Sequence, residues 1–463
     1  MSKTKQFSIR TFGCQMNVHD TEKLSNILYH SGYTEAAEES AADLLVINTC
    51  SVREKAENKL YSDLGRLREW KAERPGRLIG VGGCVAQQEG HSILRRFDHV
   101  DLVFGTHNLR AVPAMLEGAS EGRQSVRVEE SLSLDRFDLP ERHPAYRGHA
   151  AGHAFVTVME GCDMFCSFCV VPRTRGREIS RLAESIVDEV QQLVDLGVSE
   201  ITLLGQTVNA YGRHDARRGA GETTGTIPFG ALLQRLDAIG GLRRIRYTSP
   251  HPLFFDEDLL RAHAELDSLC PHVHMPVQSG SDRVLERMRR RYTRAGYTSI
   301  VERLRALRPD IVLTTDLIVG FPGETDAEFR ETLCLVEEVG FVDCYSFKYS
   351  RRPHTKALEY ADDEIAADVA TARLTELQEL QRRLTLEYHF NRVGKRAEIR
   401  VEGASMRGGD QIRGRDLHHR VVNVATTGGA LPDPGSYLEV EVVEATPHSL
   451  IGVPSATPLR ISI

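Results

Sequence analysis

The sequence predicts an α/β protein in three units: an amino-terminal open parallel α/β sheet, a central partial (β/α)6 barrel and a carboxyl-terminal small antiparallel β-barrel. Three observations carry that prediction. Short apolar runs alternate with helical patterns from Phe7 to about Glu117, and again from Ala154 to Lys348, as strand–helix–strand units do. Six cysteines follow such runs, at the strand ends where parallel folds build ligand sites. Beyond about Tyr388 the hydrophobic period changes to two, with Gly-rich turns, which suits a small barrel.

The first unit contains three strand-like runs that end in cysteine. Ser8–Phe12 leads to Gly13-Cys14, Leu44–Asn48 to Thr49-Cys50, and Arg77–Val81 to Gly82-Gly83-Cys84. Each separation matches one strand–helix–strand unit of about thirty residues or more. Consecutive parallel strands would set the three thiols along one sheet edge, as ligands of a metal cluster or as small core residues. Residues 121–147 are polar, with Pro140, His143 and Pro144, and read as a linker; Gly148 and His149 continue that character.

The second unit opens on Ala154–Met159 and the stretch Glu160–Arg181, which places Cys162, Cys166 and Cys169 in one loop. A structural zinc site wants four ligands, whereas an iron–sulfur cube held by three thiolates keeps one iron open. A zinc loop that borrows His153, or a buried cysteine group, is the alternative. Further strands are expected at Glu200–Leu204, Arg244–Tyr247, His272–Val277, Ile311–Val319 and Val342–Lys348. Their carboxyl ends carry Gln206 and Asn209, then Gln278, Ser279 and Ser281, then Gly320 and Gly323. These side chains suit hydrogen bonds to a ribose or carboxylate, and the glycines let backbone approach a ligand. Cys270, Cys334 and Cys344 lack ligand spacing and read as buried apolar residues, and residues 213–226 as an insertion loop.

In the last unit Arg382, Arg383, Arg392, Lys395, Arg396, Arg400, Arg407, Arg413, Arg415 and Arg420 form a basic stretch. The chain of 463 residues has a formal net charge of −7, so any nucleic-acid surface must be local. No apolar run reaches the roughly 18 residues of a membrane span, and no signal peptide is visible. Nine cysteines then read as reduced thiols in the cytoplasm, available to metal.

The C-x3-C-x2-C loop resembles the cluster loop of radical S-adenosylmethionine (SAM) enzymes. Thr11–Asn17 and Asn48–Asn58 resemble the amino-terminal domain of the methylthiotransferases, His272–Ser281 and Thr315–Glu324 look like their SAM-contacting segments, and the last unit resembles a TRAM RNA-binding domain. The resemblance implies residues 5–120 as the auxiliary-cluster domain, 148–384 as the radical SAM core and 387–456 as the TRAM domain. It implies two 4Fe-4S clusters, one on Cys14, Cys50 and Cys84, the other on Cys162, Cys166 and Cys169, with SAM as methyl donor and radical source. Gln206, Gln278, Ser279, Ser281, Gly320 and Gly323 would lie toward SAM. The text around Cys14 and Cys50 is similar to members that methylthiolate carbon 2 of N6-dimethylallyl(isopentenyl)adenosine at position 37, in the anticodon loop of tRNA. Relatives acting on threonylcarbamoyl-adenosine or on a ribosomal-protein aspartate are the alternative, as is a non-catalytic iron–sulfur or zinc protein that binds RNA. An electron donor such as flavodoxin or ferredoxin, no membrane and a monomeric state complete the expectation.

Overall fold

A computed structural model describes residues 4–51, 54–137, 140, 142–143, 151–213, 225–406, 408, 411–425 and 432–455. Val52, Arg53, Pro144, Gly148, His149, Arg407, Gly409, Gly428, Gly429 and most of the 213–226 segment lie outside the described residues.

Apolar runs bounded by helices fold the first part into one parallel sheet. Its strands are β1 (Gln6–Phe12), β2 (Thr34–Glu35), β3 (Leu44–Thr49), β4 (Leu78–Gly83), β5 (Leu102–Phe104) and β6 (Ser125–Arg127), in the order β2-β1-β3-β4-β5-β6. β3 and β4 are buried along their whole length, which is why they read as continuous apolar runs and not as alternation. Helices α1 (Gln15–His30) and α5 (Val112–Ser120) cover one face. α2 (Glu54–Ala72), α3 (Cys84–Glu89) and α4 (His91–Arg96) cover the other. The strand order reverses between β1 and β3, and ligands of open α/β sheets bind at that switch point. The sheet runs past the expected boundary at residue 120. β6 belongs to it and not to the linker, and its three residues, two half-buried and one exposed, are too few to show a period.

The central strands are β7 (His153–Thr157), β10 (Glu200–Leu204), β11 (Arg244–Tyr247), β12 (His272–His274), β13 (Val312–Val319) and β14 (Asp343–Lys348). They form two three-stranded parallel sheets, β11-β10-β7 and β12-β13-β14, joined through the Ile245–Leu269 bridge. The result is a six-stranded partial barrel; among the described residues no ladder closes β14 onto β7. Six helices flank it: α7 (Ala183–Asp195), α8 (Phe229–Asp237), α9 (Glu257–Glu265), α11 (Arg294–Leu307), α12 (Asp326–Val339) and α13 (Ala367–Phe390); α6 (Val171–Thr174) and α10 (Asp282–Arg287) are short turns above it. The expected single strand Ala154–Met159 breaks at Val158. Its last position, Met159, starts β8 (Met159–Glu160), which pairs antiparallel with β9 (Ile179–Ser180) and closes the base of the cysteine loop.

The last part is a closed five-stranded barrel: β15 (Arg396–Ala404), β16 (Gln411–Arg415), β17 (Val421–Ala425), β18 (Tyr437–Ala445) and β19 (Leu450–Pro454), ordered β15-β16-β17-β19-β18. It is not wholly antiparallel, since β17 and β19 run parallel. An odd number of strands cannot alternate direction around a closed ring, so one parallel pair is unavoidable.

Candidate active site between the sheet and the barrel

Each cysteine of the first group stands where a strand hands over to a helix. Cys14 is the residue before α1, Cys50 follows β3, and Cys84 opens α3. Amide groups at helix starts favour a thiolate there. Two glycines make the approach possible. Gly13 has φ +132°, and a Cβ on it would stand 2.4 Å from the Cys50 Cβ. Gly83 has φ +91°, and its Cβ would meet the Asn48 side chain at 2.4 Å. Asn48 itself donates to the Asn17 carbonyl at 2.8 Å and to Thr21 Oγ1 at 2.9 Å, which ties β3 to α1 across the switch point. A hydrogen bond with Cys50, helped by the Arg175 charge, pulls the Cys14 thiol down to about 6. Burial pushes the Cys84 thiol up against the pull of Arg175. Cys14 keeps an exposed surface, while Cys50 and Cys84 are buried.

The second group occupies the loop above β7. Gly161, at φ +81°, lies so close to Arg177 that a Cβ would meet the Arg177 carbonyl oxygen at 2.1 Å. Its N–H donates to Gln206 Oε1, and Cys162 N–H to the Gly176 carbonyl at 3.2 Å. Cys162 Sγ stands 3.3 Å from Thr207 Oγ1, and Arg290 Nη1 donates to Cys166 Sγ at 3.3 Å. Burial raises the Cys162 thiol to about 11 and raises Cys169 too, where Cys166 and Cys162 add repulsion. A metal must therefore displace protons on binding these thiols.

The loop also supplies the link between the two groups. Arg175 is buried, donates to Asp20 at 2.5 Å and faces Cys14 and Cys84 electrostatically. Its carbonyl bonds His107 Nε2 at 2.9 Å, and the Thr174 carbonyl accepts from Thr106 at 2.7 Å. Glu160 takes Lys23 at 3.4 Å and Arg136 at 3.6 Å. Burial alone would raise the Glu160 carboxyl, but Lys23, Arg136 and Arg175 hold it down to about 2.

These residues fit two clusters held by three thiolates each. Buried polar atoms beside both groups lack a protein partner: Ser51 Oγ and Arg175 Nη1 near the first, Gln206 Nε2 and His251 Nε2 near the second. Among the described residues no three His, Cys, Asp or Glu side chains converge on a point that one metal ion could fill. Thiolates of a cube each take a different iron and stand further apart. The zinc alternative fails for His153, which begins β7 at the end away from the cysteines and bonds Thr202 Oγ1 at 2.9 Å.

The other expected site residues are placed unevenly. Gln206 supports the cysteine loop directly. Gln278 is buried at φ +74°, paired with β13 through backbone bonds. Ser279 and Ser281 turn onto α12, toward Thr332 at 3.4 Å and Glu328 at 3.3 Å. Gly320, at φ +68°, admits Ala370 of α13, whose Cβ would lie 2.7 Å from an added Cβ, and Gly323 N–H donates to the Asp363 carbonyl at 2.7 Å. Cys270 is buried as expected and Cys344 half-buried, but Cys334 is exposed on the outer side of α12. Sequence reasoning missed Arg175 and Arg290; the one signal was their position, inside the cysteine loop and in the run Met288-Arg-Arg-Arg-Tyr292.

Residues 6–105 match the Uncharacterized protein family UPF0004, and residues 156–336 the Radical SAM superfamily. A tRNA-2-methylthio-N(6)-dimethylallyladenosine synthase of Geobacter metallireducens is 47% identical over 452 residues, 98% of this chain and 99% of that protein. The chain belongs to the tRNA-2-methylthio-N(6)-dimethylallyladenosine synthase family. Members from Sorangium cellulosum, 47% identical with 96% of this chain and 92% of that one covered, and Nocardia farcinica, 44% identical with 97% and 89%, extend the match to distant bacteria. Among solved structures, the radical SAM methyltransferase TsrM from Kitasatospora setae aligns with a TM-score of 0.56 at 13% identity, covering 77% of this chain and 74% of that one. That likeness shows the shared fold. It agrees with a family member built from a parallel sheet and a partial barrel.

Proposed function

We propose that this chain attaches a methylthio group to carbon 2 of the adenine in N6-dimethylallyladenosine at position 37 of tRNA. The observation that supports it is one interface carrying two separate groups of three thiols, in a chain that matches the family over nearly its full length. An aromatic C–H offers neither an acidic proton nor a leaving group. Two 4Fe-4S clusters and SAM bring the hydrogen-atom abstraction and sulfur transfer that side chains lack. Cys162, Cys166 and Cys169 would hold one cluster with an open iron for SAM, and Cys14, Cys50 and Cys84 the other.

The chain's own residues do the rest. Gln206 and the β8–β9 pair fix the cysteine loop. Asp20 and Glu160 hold Arg175 at the seam. Burial of five of the six ligand residues to at least a half keeps water from the reaction. Gln206, Gln278, Ser279, Ser281, Gly320 and Gly323 surround the SAM side of the barrel in this reading. An unpaired loop base enters such a pocket at modest cost, which suits the anticodon loop, and the prenyl group adds about 0.8 kcal/mol per buried CH2. The division into units 5–120, 148–384 and 387–456, a monomeric state, a flavodoxin- or ferredoxin-like electron donor and cytoplasmic action belong to the same reading. No helix of the described residues is long and apolar enough to cross a membrane.

Methylthiolation of prenylated and unprenylated tRNA, read by mass spectrometry of digested nucleosides, tests the assignment. Product from the prenylated tRNA alone is expected. Equal reaction of both, or product only with threonylcarbamoyl-adenosine or a ribosomal-protein aspartate, would overturn it. Changing Cys14, Cys50 and Cys84 to Ala should remove about half the iron and all sulfur transfer, yet spare reductive SAM cleavage. Loss of cleavage in that variant would defeat the two-site reading.

A further inference from the structure

Arg290 is a buried cation with an unusual set of neighbours. Its Nε donates to Tyr292 Oη at 2.9 Å, its Nη2 to the Pro276 carbonyl at 3.1 Å and its Nη1 to Cys166 Sγ at 3.3 Å. Only 6% of its surface is exposed, and among the described residues it forms no ion pair with a carboxylate. A buried guanidinium without a counter-ion is costly, so an anion is expected beside it. The one anion its surroundings provide for is the group on Cys166, because three thiolates and a cube carry net negative charge.

The backbone is shaped to deliver this side chain. Arg289 and Arg291, on either side, take positive φ of 58° and 60°, which bulky residues adopt only when neighbours enforce it. The neighbour is the cysteine loop: Ser167 N–H donates to the Met288 carbonyl at 3.1 Å and Ser167 Oγ to the Arg287 carbonyl at 2.7 Å. Tyr292 Oη in turn donates to the Val277 carbonyl at 2.8 Å, so the turn is fixed to the barrel as well.

We infer that Arg290 is a positioning residue that sets the reduction potential of the SAM-responsive cluster through its hydrogen bond and charge at Cys166. The inference rests on reading Cys162, Cys166 and Cys169 as that cluster's ligands. A donor and a positive charge at a ligand sulfur stabilise the state with one more electron, and so raise the potential. In the couple concerned the cluster gains one electron from an external one-electron reductant, and no bond to the protein is made or broken.

The test is an anaerobic dithionite titration of the holoenzyme followed by electron paramagnetic resonance, with and without SAM, so that the SAM-responsive signal is followed alone. Arg290→Met and Arg290→Gln, both neutral but of different shape, should lower its midpoint by a tenfold shift in the one-electron equilibrium or more, about 59 mV. The other cluster's midpoint should stay where it is. An unchanged midpoint in either variant with full iron loading overturns the inference. Loss of iron from both variants overturns it too, since Arg290 would then be only a support for the loop. Absence of any SAM-responsive signal in the unaltered protein would instead count against the proposed function itself.

Discussion

At the scale of single residues, the candidate site depends on small atoms in tight places. Gly13 leaves room for Cys50, and neither the space nor φ +132° tolerates a side chain. Gly13→Ala should therefore lose the cluster of the first thiol group while keeping SAM cleavage; iron falling to about half, with 5′-deoxyadenosine still formed, is the result to look for. Full iron content would mean that Cys50 has another way in. The six cysteines were legible in the sequence because Cys14, Cys50 and Cys84 each follow a strand directly and Cys162, Cys166 and Cys169 share one short loop after a strand, relations settled within a few positions of chain. Arg175 and Arg290 were not legible, since their partners Asp20 and Cys166 lie 155 and 124 residues away and only the folded chain brings them near. Ser279 and Ser281 show the converse. Their position after a strand was readable, but the direction of their hydroxyls, toward α12, is set by packing.

At the scale of elements, long buried strands and amphipathic helices were readable, and pieces of two or three residues were not. β8, β9 and β6 have no period to detect, yet β8 and β9 close the cysteine loop. The helix α12 illustrates a start that sequence does encode: Thr325 caps the Glu328 N–H, and Glu328 bonds back to the Thr325 N–H at 2.8 Å. Glu328 also takes Arg283 and Ser281, so this cap holds the strand-end loop that carries Gln278. Thr325→Ala should cost about 1 kcal/mol locally. Amide hydrogen exchange should speed in the first turn of α12 and in residues 278–283; acceleration spread evenly over the chain would argue against a local anchor.

At the scale of the whole molecule, most of the basic stretch is already paired, although of its described residues only Arg400 and Arg420 are buried. Arg383, Arg392, Arg396, Arg400, Arg413, Arg415 and Arg420 each pair with a carboxylate, while no pair is formed by Arg382 or Lys395 among the described residues. Neutralising Arg382 and Lys395 together should lower the slope of log K against log salt for tRNA binding by about one to two. An unchanged slope would place the phosphate contacts elsewhere. The small barrel docks on the large one through Glu200, which meets Arg246 at 3.1 Å, Arg400 at 3.3 Å and Arg244 at 3.5 Å. Burial would raise this carboxyl, but the arginines hold it down to about 2. Its folded value lies below its unfolded one, so its stabilisation is complete above about pH 4.3 and lost as pH falls toward 2. Glu200→Gln should cost about 3–5 kcal/mol at neutral pH, and the gap to the unaltered protein should narrow between about pH 4 and 2 in denaturant titrations. The seam at Arg175, with Asp20, Lys23, Glu160 and Arg136, has a different consequence. These bonds join one protein group to another, so the cysteine loop is tied to the first sheet by contacts that involve none of the six thiols. Under the proposed reading of the six cysteines as cluster ligands, either group should then be able to take up its cluster first, because these contacts hold the other in register.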